Sequence, residues 1–120
     1  MDTGFMSRVT ITVALAAVAL PSALAVDFVQ AAPKQAKVMV DNDKVRVLHV
    51  KFSKGDKIPM HSHPDLVVYS IKSGKIRFTT EDGKVREIVP KQGEAIFRPA
   101  VTHAHEHLEG DEAIVVELKK

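Results

Sequence analysis

The chain has 120 residues, enough for one hydrophobic core and too few for two. Lys plus Arg number 17 against 15 Asp plus Glu, a formal charge of +2, and the two signs are interspersed. A nucleic-acid surface would show a clustered basic stripe, so the balance argues against nucleic acid as a partner. The absence of cysteine excludes disulfides, thiolate zinc sites, iron–sulfur clusters and a cysteine nucleophile, and it leaves the redox compartment open.

The first 32 residues differ in kind from the rest. Arg8 precedes the apolar run Val9 to Leu20, followed by Pro21 and the small-residue stretch Ser22-Ala23-Leu24-Ala25. A positive start, an apolar centre of this length and an A-x-A ending predict a secretory signal peptide over residues 1–25. The run is short for a bilayer and Pro21 interrupts it, so no membrane span is expected in the mature protein. A second cut after Ala31 or Ala32 is the alternative. Either cut predicts a periplasmic or secreted protein.

Residues 26–36 show no clear period and are expected to form a loose N-terminal arm. From residue 37 to 120, short apolar runs are broken by turn signals at close intervals. Val38 to Val40 precedes Asp41-Asn42-Asp43, a turn by composition. Val45 to Phe52 predicts a strand that stops at Lys54-Gly55-Asp56, and Leu66 to Ile71 a second that stops at Ser73-Gly74. Ile76 to Thr80 and Val85 to Val89 flank Glu81-Asp82-Gly83, a hairpin signal. Ala95 to Phe97 follows Gly93 and breaks at Pro99, and Ile114 to Leu118 closes the chain. No stretch beyond the leader sustains a helical period, so the pattern predicts an all-β barrel or sandwich. The units led by Gly55 and by Gly93 look alike, which suits a jelly roll of two halves.

Histidine carries the chemistry. His61 and His63 are two residues apart, and His103, His105 and His107 alternate, so within a strand each group points one way. Five of the six histidines fall in these two segments; His49 alone lies outside, on a predicted strand, where a surface or packing role is expected. There is no glycine-rich phosphate loop, no G-x-S-x-G elbow and no H-E-x-x-H.

With those residues in view, the sequence resembles the cupin superfamily. The family's first motif, a glycine, five residues, H-x-H, three or four residues, a glutamate, six residues and a glycine, finds Gly55, His61, His63 and Gly74, with Val67 where the glutamate is expected. Its second motif, a glycine, five residues, a proline, then a histidine and an asparagine, finds Gly93, Pro99, His103 and His107, with one residue missing after the proline. The resemblance spans about Val45 to Leu118 and is strongest to small single-domain bacterial cupins. It implies a double-stranded β-helix, the jelly-roll barrel, with His61, His63 and His103 holding one divalent transition metal.

Without the glutamate, what remains resembles the three-histidine cupins, such as the thiol dioxygenases. A neutral three-imidazole set leaves coordination positions open for a small substrate and dioxygen on iron(II), or for a water on zinc. Iron(II) is the favoured ion, with zinc, nickel, manganese or copper as alternatives. His105 is the rival third ligand, or a proton-shuttling residue of the cavity; Asp65 is the one carboxylate placed to replace the glutamate, although after Pro64 it suits a turn cap. Tyr69 shares the parity of His61, His63 and Val67 and is a candidate for the cavity. Arg98 could grip a substrate carboxylate, but it has opposite parity to Phe97 and is expected to be solvated. His107 is expected to be a structural strand-end residue. The expected protein is a metal-dependent enzyme, most simply an iron(II) dioxygenase acting on a small polar or carboxylated molecule, and a homodimer. Its alternatives are a non-catalytic module that holds a metal or small ligand, and an isomerase or lyase that uses no oxygen.

Overall fold

The computed structural model describes residues 26–120, and the expected leader lies outside them. In chain order they form β1 (Val26–Asp27), the single-turn helix α1 (Phe28–Ala31), β2 (Ala36–Asp41), β3 (Val45–Phe52), β4 (Lys57–His63), β5 (Leu66–Lys72), β6 (Lys75–Thr80), β7 (Val85–Ile88), β8 (Ala95–Arg98), β9 (Val101–Glu109) and β10 (Asp111–Leu118). Two five-stranded sheets result, ordered β1-β4-β9-β6-β7 and β2-β3-β10-β5-β8. The strands were legible because period-two alternation is sustained. In β10, Asp111, Ala113, Val115 and Glu117 are buried and their neighbours are not.

The inner face of the second sheet supplies most of the core. Leu48, Val50 and Phe52 of β3 lie beside Val115, Ala113 and Asp111 of β10, and all are buried. Leu66 and Ser70 continue that face on β5. The inner face of the first sheet is different in kind. His61 sits opposite His103, and His105 and His107 sit opposite Phe78 and Ile76. One sheet is therefore mostly apolar inside, and the other is lined with imidazole.

The two motif glycines play matching roles in the two halves. Gly55 (φ 92°) donates its N–H to the His107 carbonyl, and Gly93 (φ 84°) donates its own to the Ser70 carbonyl. Each is a left-handed turn that closes onto the neighbouring strand of its own sheet, which explains why glycine recurs there. Gly74 is required for space instead: a Cβ there would lie 2.5 Å from the Gly110 carbonyl oxygen and 2.8 Å from the Asp111 Cβ.

Two expectations are corrected by the fold. Residues 26–36 are not a loose arm. Asp27 caps α1 by accepting the Val29 N–H and is gripped by Arg46 through both carboxylate oxygens. Phe28 and Ala32 are buried in the core, and β1 pairs in parallel with His61 and Ser62 of β4. One helical turn anchored by a single aromatic leaves no period for a sequence to show.

Val67 and Tyr69 do not share the face of His61 and His63. The break at Pro64-Asp65 between β4 and β5 resets the alternation, so Leu66, Val68 and Ser70 take the inside. Val67 stands in a row with Phe97 and Val116, and Val116 in turn opposes Val47 on the outer surface. Tyr69 is 45% exposed.

Candidate metal centre

Five buried histidines line the inner face of the first sheet: His61 and His63 from β4, and His103, His105 and His107 from β9. Ligand atoms of His61, His103 and His105 all lie within 4.8 Å of one another, close enough that the three could hold one metal ion. Both β9 histidines that competed for the third place thus join His61. β9 presents both rings because residues two apart on a strand share a face; His103 pairs with His61 and His105 with Ile58, on either side of a register shift between β4 and β9.

His63 is outside that trio. Its ring centroid lies 4.9 Å from that of His61 and 5.3 Å from that of His103, and its Nδ1 is 3.1 Å from Glu117 Oε2. A carboxylate can only accept, so Nδ1 carries the proton and the Nε2 lone pair is left for an ion. His63 is a fourth imidazole at the edge of the trio, oriented as second-sphere carboxylates orient metal-binding histidines.

Hydrogen bonding fixes two further tautomers. His61 Nδ1 donates to the Pro59 carbonyl at 2.7 Å, so its Nε2 must be the bare nitrogen. That Nε2 is buried and has no partner among the described residues. An orphaned buried acceptor costs about 1–3 kcal/mol, and a bound cation would remove that cost. His107 Nδ1 donates to Asp111 Oδ1, leaving its Nε2 to accept the Nδ1–H of His105 at 2.7 Å. His105 Nε2 is therefore bare as well. The chain Asp111–His107–His105 turns one carboxylate into the orientation of a ligand two hydrogen bonds away, and His107 is far from a mere strand-end residue. Phe52 stacks on His107 at 3.7 Å and 7° and holds its plane.

Electrostatics keep the trio ready. Burial pushes the His61 imidazole down to about 4, against the opposing pull of the Pro59 hydrogen bond. Burial likewise pushes His103 down to about 3, with the cationic Arg98 and Arg86 adding to the fall, and burial pushes His105 well below its ordinary value. All three are neutral near pH 7, the form a metal requires. Burial would raise the Glu117 carboxyl, but hydrogen bonds from His63 and Arg46 outweigh it and hold it low. The acids that serve the histidines come from the two ends of β10, at the centre of the opposite sheet.

The other expected residues fall elsewhere. Asp65 Oδ1 accepts the Ala100 N–H at 2.8 Å, so it caps a turn and takes no place in the trio. His49 faces outward and pairs with Glu112. Arg98 is half-buried, not freely solvated. It sits opposite Leu66, which is 3% exposed, while Phe97 is 60% exposed, so the parity that was to send Arg98 outward sends it inward.

Sequence reasoning missed Glu117, Asp111 and Phe28. For the two acids a signal existed: they occupy the apolar parity of β10, where an acid is out of place unless it has a partner. Phe28 packs on the site itself, its ring centroid 4.9 Å from His61 and 4.8 Å from His63. Inside the barrel a cavity of about 120 Å³ touches His63, His103, His105 and His107.

No family model matches the sequence, and no curated protein matches it. Solved structures do. A cupin domain from Bordetella pertussis Tohama I superposes with a TM-score of 0.64 at 25% identity, over 71% of this chain and 92% of that one. A cupin-family protein with a double-stranded β-helix fold from Methanocaldococcus jannaschii gives 0.57 at 20% identity, over 70% and 78%. A cupin superfamily protein from Desulfitobacterium hafniense gives 0.56 at 16%, over 71% and 76%. Two facing sheets, paired motif glycines and a buried histidine cluster are thus found together with those likenesses: the chain has the cupin fold, with three buried histidines that could hold a metal ion.

Proposed function

We propose that this protein is an exported, metal-dependent enzyme of the dioxygenase type, acting on a small polar or carboxylated molecule. The observation that carries the reading is the trio itself: three buried, neutral imidazoles within 4.8 Å of one another, with the bare nitrogens of His61 and His105 selected by hydrogen bonds. These residues fit a divalent transition ion, with His63 beside them. When bound, iron(II) in such an all-nitrogen set would supply open positions for substrate and dioxygen. This chain's own residues do the rest. Asp111 and His107 orient His105, Glu117 orients His63, and Phe28 and Phe52 exclude water from the imidazoles.

One observation favours a second reading. Phe28 covers two of the imidazoles and is only 2% exposed, which suits a module that holds a metal without turnover. Metal analysis of the protein purified from its native compartment, with oxygen uptake against small thiols, diketones and hydroxy acids, separates the two. Iron near one per chain with uptake on some member of the panel supports the enzyme. Bound metal with no uptake supports the holding module, and a folded protein that takes up no offered transition metal sinks both.

A further inference from the structure

Four arginines lie among the described residues, and they divide cleanly. Arg46 is gripped by Asp27 and Glu117, and Arg77 by Glu87 and Glu106. Arg86 and Arg98 have no carboxylate partner among the described residues, although both line one cavity. Two cations that repel each other beside a buried imidazole form an incomplete electrostatic arrangement. A partly desolvated guanidinium with no carboxylate partner is suited to binding an anion.

The fold shows why they converge. Arg86 is directly opposite Phe78, which is directly opposite His105, and Thr80 is opposite His103, so all five share the inner face of the first sheet. Arg98 reaches the same place from the second sheet, with its guanidinium carbon 5.1 Å from the Phe78 ring centroid. His103 packs on Phe78 as well, at 4.8 Å. A second cavity of about 320 Å³ is bounded by Phe78, Thr80, Lys84, Arg86, Arg98 and His103, with no acidic residue in its lining. Arg98 and His103 also line the inner cavity, so both spaces meet at this pair. The volume is at the lower end of the roughly 300–1,000 Å³ typical of small-ligand sites, which limits the ligand to a small molecule.

We propose that Arg98 and Arg86 form an oxyanion subsite that takes the carboxylate of a small organic acid and places the rest of that acid against His103. Arg98, the more buried of the two, supplies the planar fork that a carboxylate accepts bidentately, and the aromatic face of Phe78 holds the fork in plane. Arg86, more exposed, adds charge and steers approach. That this acid is the substrate rests on the metal-dependent reading above; that it binds does not.

The test is titration of lactate and malonate, with lactamide and malonamide as neutral counterparts, into protein stripped of metal and into zinc-loaded protein. Calorimetry and the Nε–Hε resonance of Arg98 report binding. The acids are expected to bind in both preparations and shift that resonance, and the amides to do neither. Arg98→Gln should weaken binding at least about tenfold, the loss of a charged, bidentate contact, with Arg86→Gln losing less. Arg98→Lys, which keeps the charge and hence the fold but not the fork, should fall between parent and Arg98→Gln. Zinc stoichiometry should stay at the parent value in all three variants, so a failed metal reading and a failed anion subsite give different results. Amides binding as tightly as acids, unchanged affinity in both Arg98 variants, no acid binding at all, or tighter binding by inorganic phosphate than by either acid would overturn the assignment.

Discussion

A metal ligand is useful only in one tautomer, and at His105 that choice is made by a residue that never reaches the ion. Asp111 accepts from His107, which accepts from His105, so the Nε2 lone pair of His105 is fixed at the far end. Asp111→Asn keeps the shape but can present an N–H to His107, which permits the opposite tautomer along the whole chain. Zinc affinity is expected to drop about 10–100-fold, as for other outer partners of ligating histidines, with the fold intact by circular dichroism. Parent-like affinity would show that the chain does not select the tautomer. A second residue-scale test concerns register. Val67 faces outward between Val116 and Phe97, so Val67→Glu is expected to leave metal content and affinity unchanged. A gain in affinity would mean that β5 had been placed one residue out. His61, His63, His103 and His105 were legible because histidines spaced by two are rare and share a face. The tautomers were not, since they depend on Asp111 and Glu117, which come from another sheet.

At the scale of elements, the strands that sustain alternation were readable and the junctions between them were not. Pro64-Asp65 resets parity between β4 and β5, and that single break carried Val67 and Tyr69 to the wrong face of the expected barrel. Arg98 was misplaced by the converse error, since Phe97 is apolar yet points outward. The segment Val26–Ala32 was illegible for another reason: one helical turn has no period, and its fixing contacts lie with Arg46 and the histidines. Phe28 is the key to that segment. Phe28→Ala removes a fully buried ring and is expected to destabilise the fold by about 3–5 kcal/mol in urea denaturation. It should also speed zinc loss to a chelator, because the ring covers His61 and His63. A destabilised variant with unchanged chelation rate would reduce Phe28 to packing alone. The same contact bears on processing, since a cut after Ala31 or Ala32 would remove Phe28 while one after Ala25 would keep it.

For the whole molecule, the histidine-lined interior links stability to pH. His61 and His103 are pushed down to about 4 and about 3 from an ordinary value of 6.5, and His105 moves the same way. Between those values and 6.5 the unfolded chain binds protons that the folded interior refuses, so in that window stability must rise with pH. Above about pH 7 all three are neutral in both states and contribute no slope. As pH falls through 6.5 the unfolded state gains, at up to about 1.4 kcal/mol per pH unit for each histidine, until the folded rings also protonate. Glu117 and Asp27, both held low in the folded state, lose their contribution at still lower pH and with the same sign. Metal-free protein is therefore expected to show flat stability near neutrality and a steep fall from pH 6.5 towards 4, measured by urea midpoints at fixed ionic strength. Zinc should raise the neutral plateau and steepen the acid limb, because only neutral imidazoles bind it. A metal-free stability that stayed level from pH 7 to 5 would mean that these rings reach water in the folded state, and the dry, neutral cluster on which the metal centre depends would be lost with it.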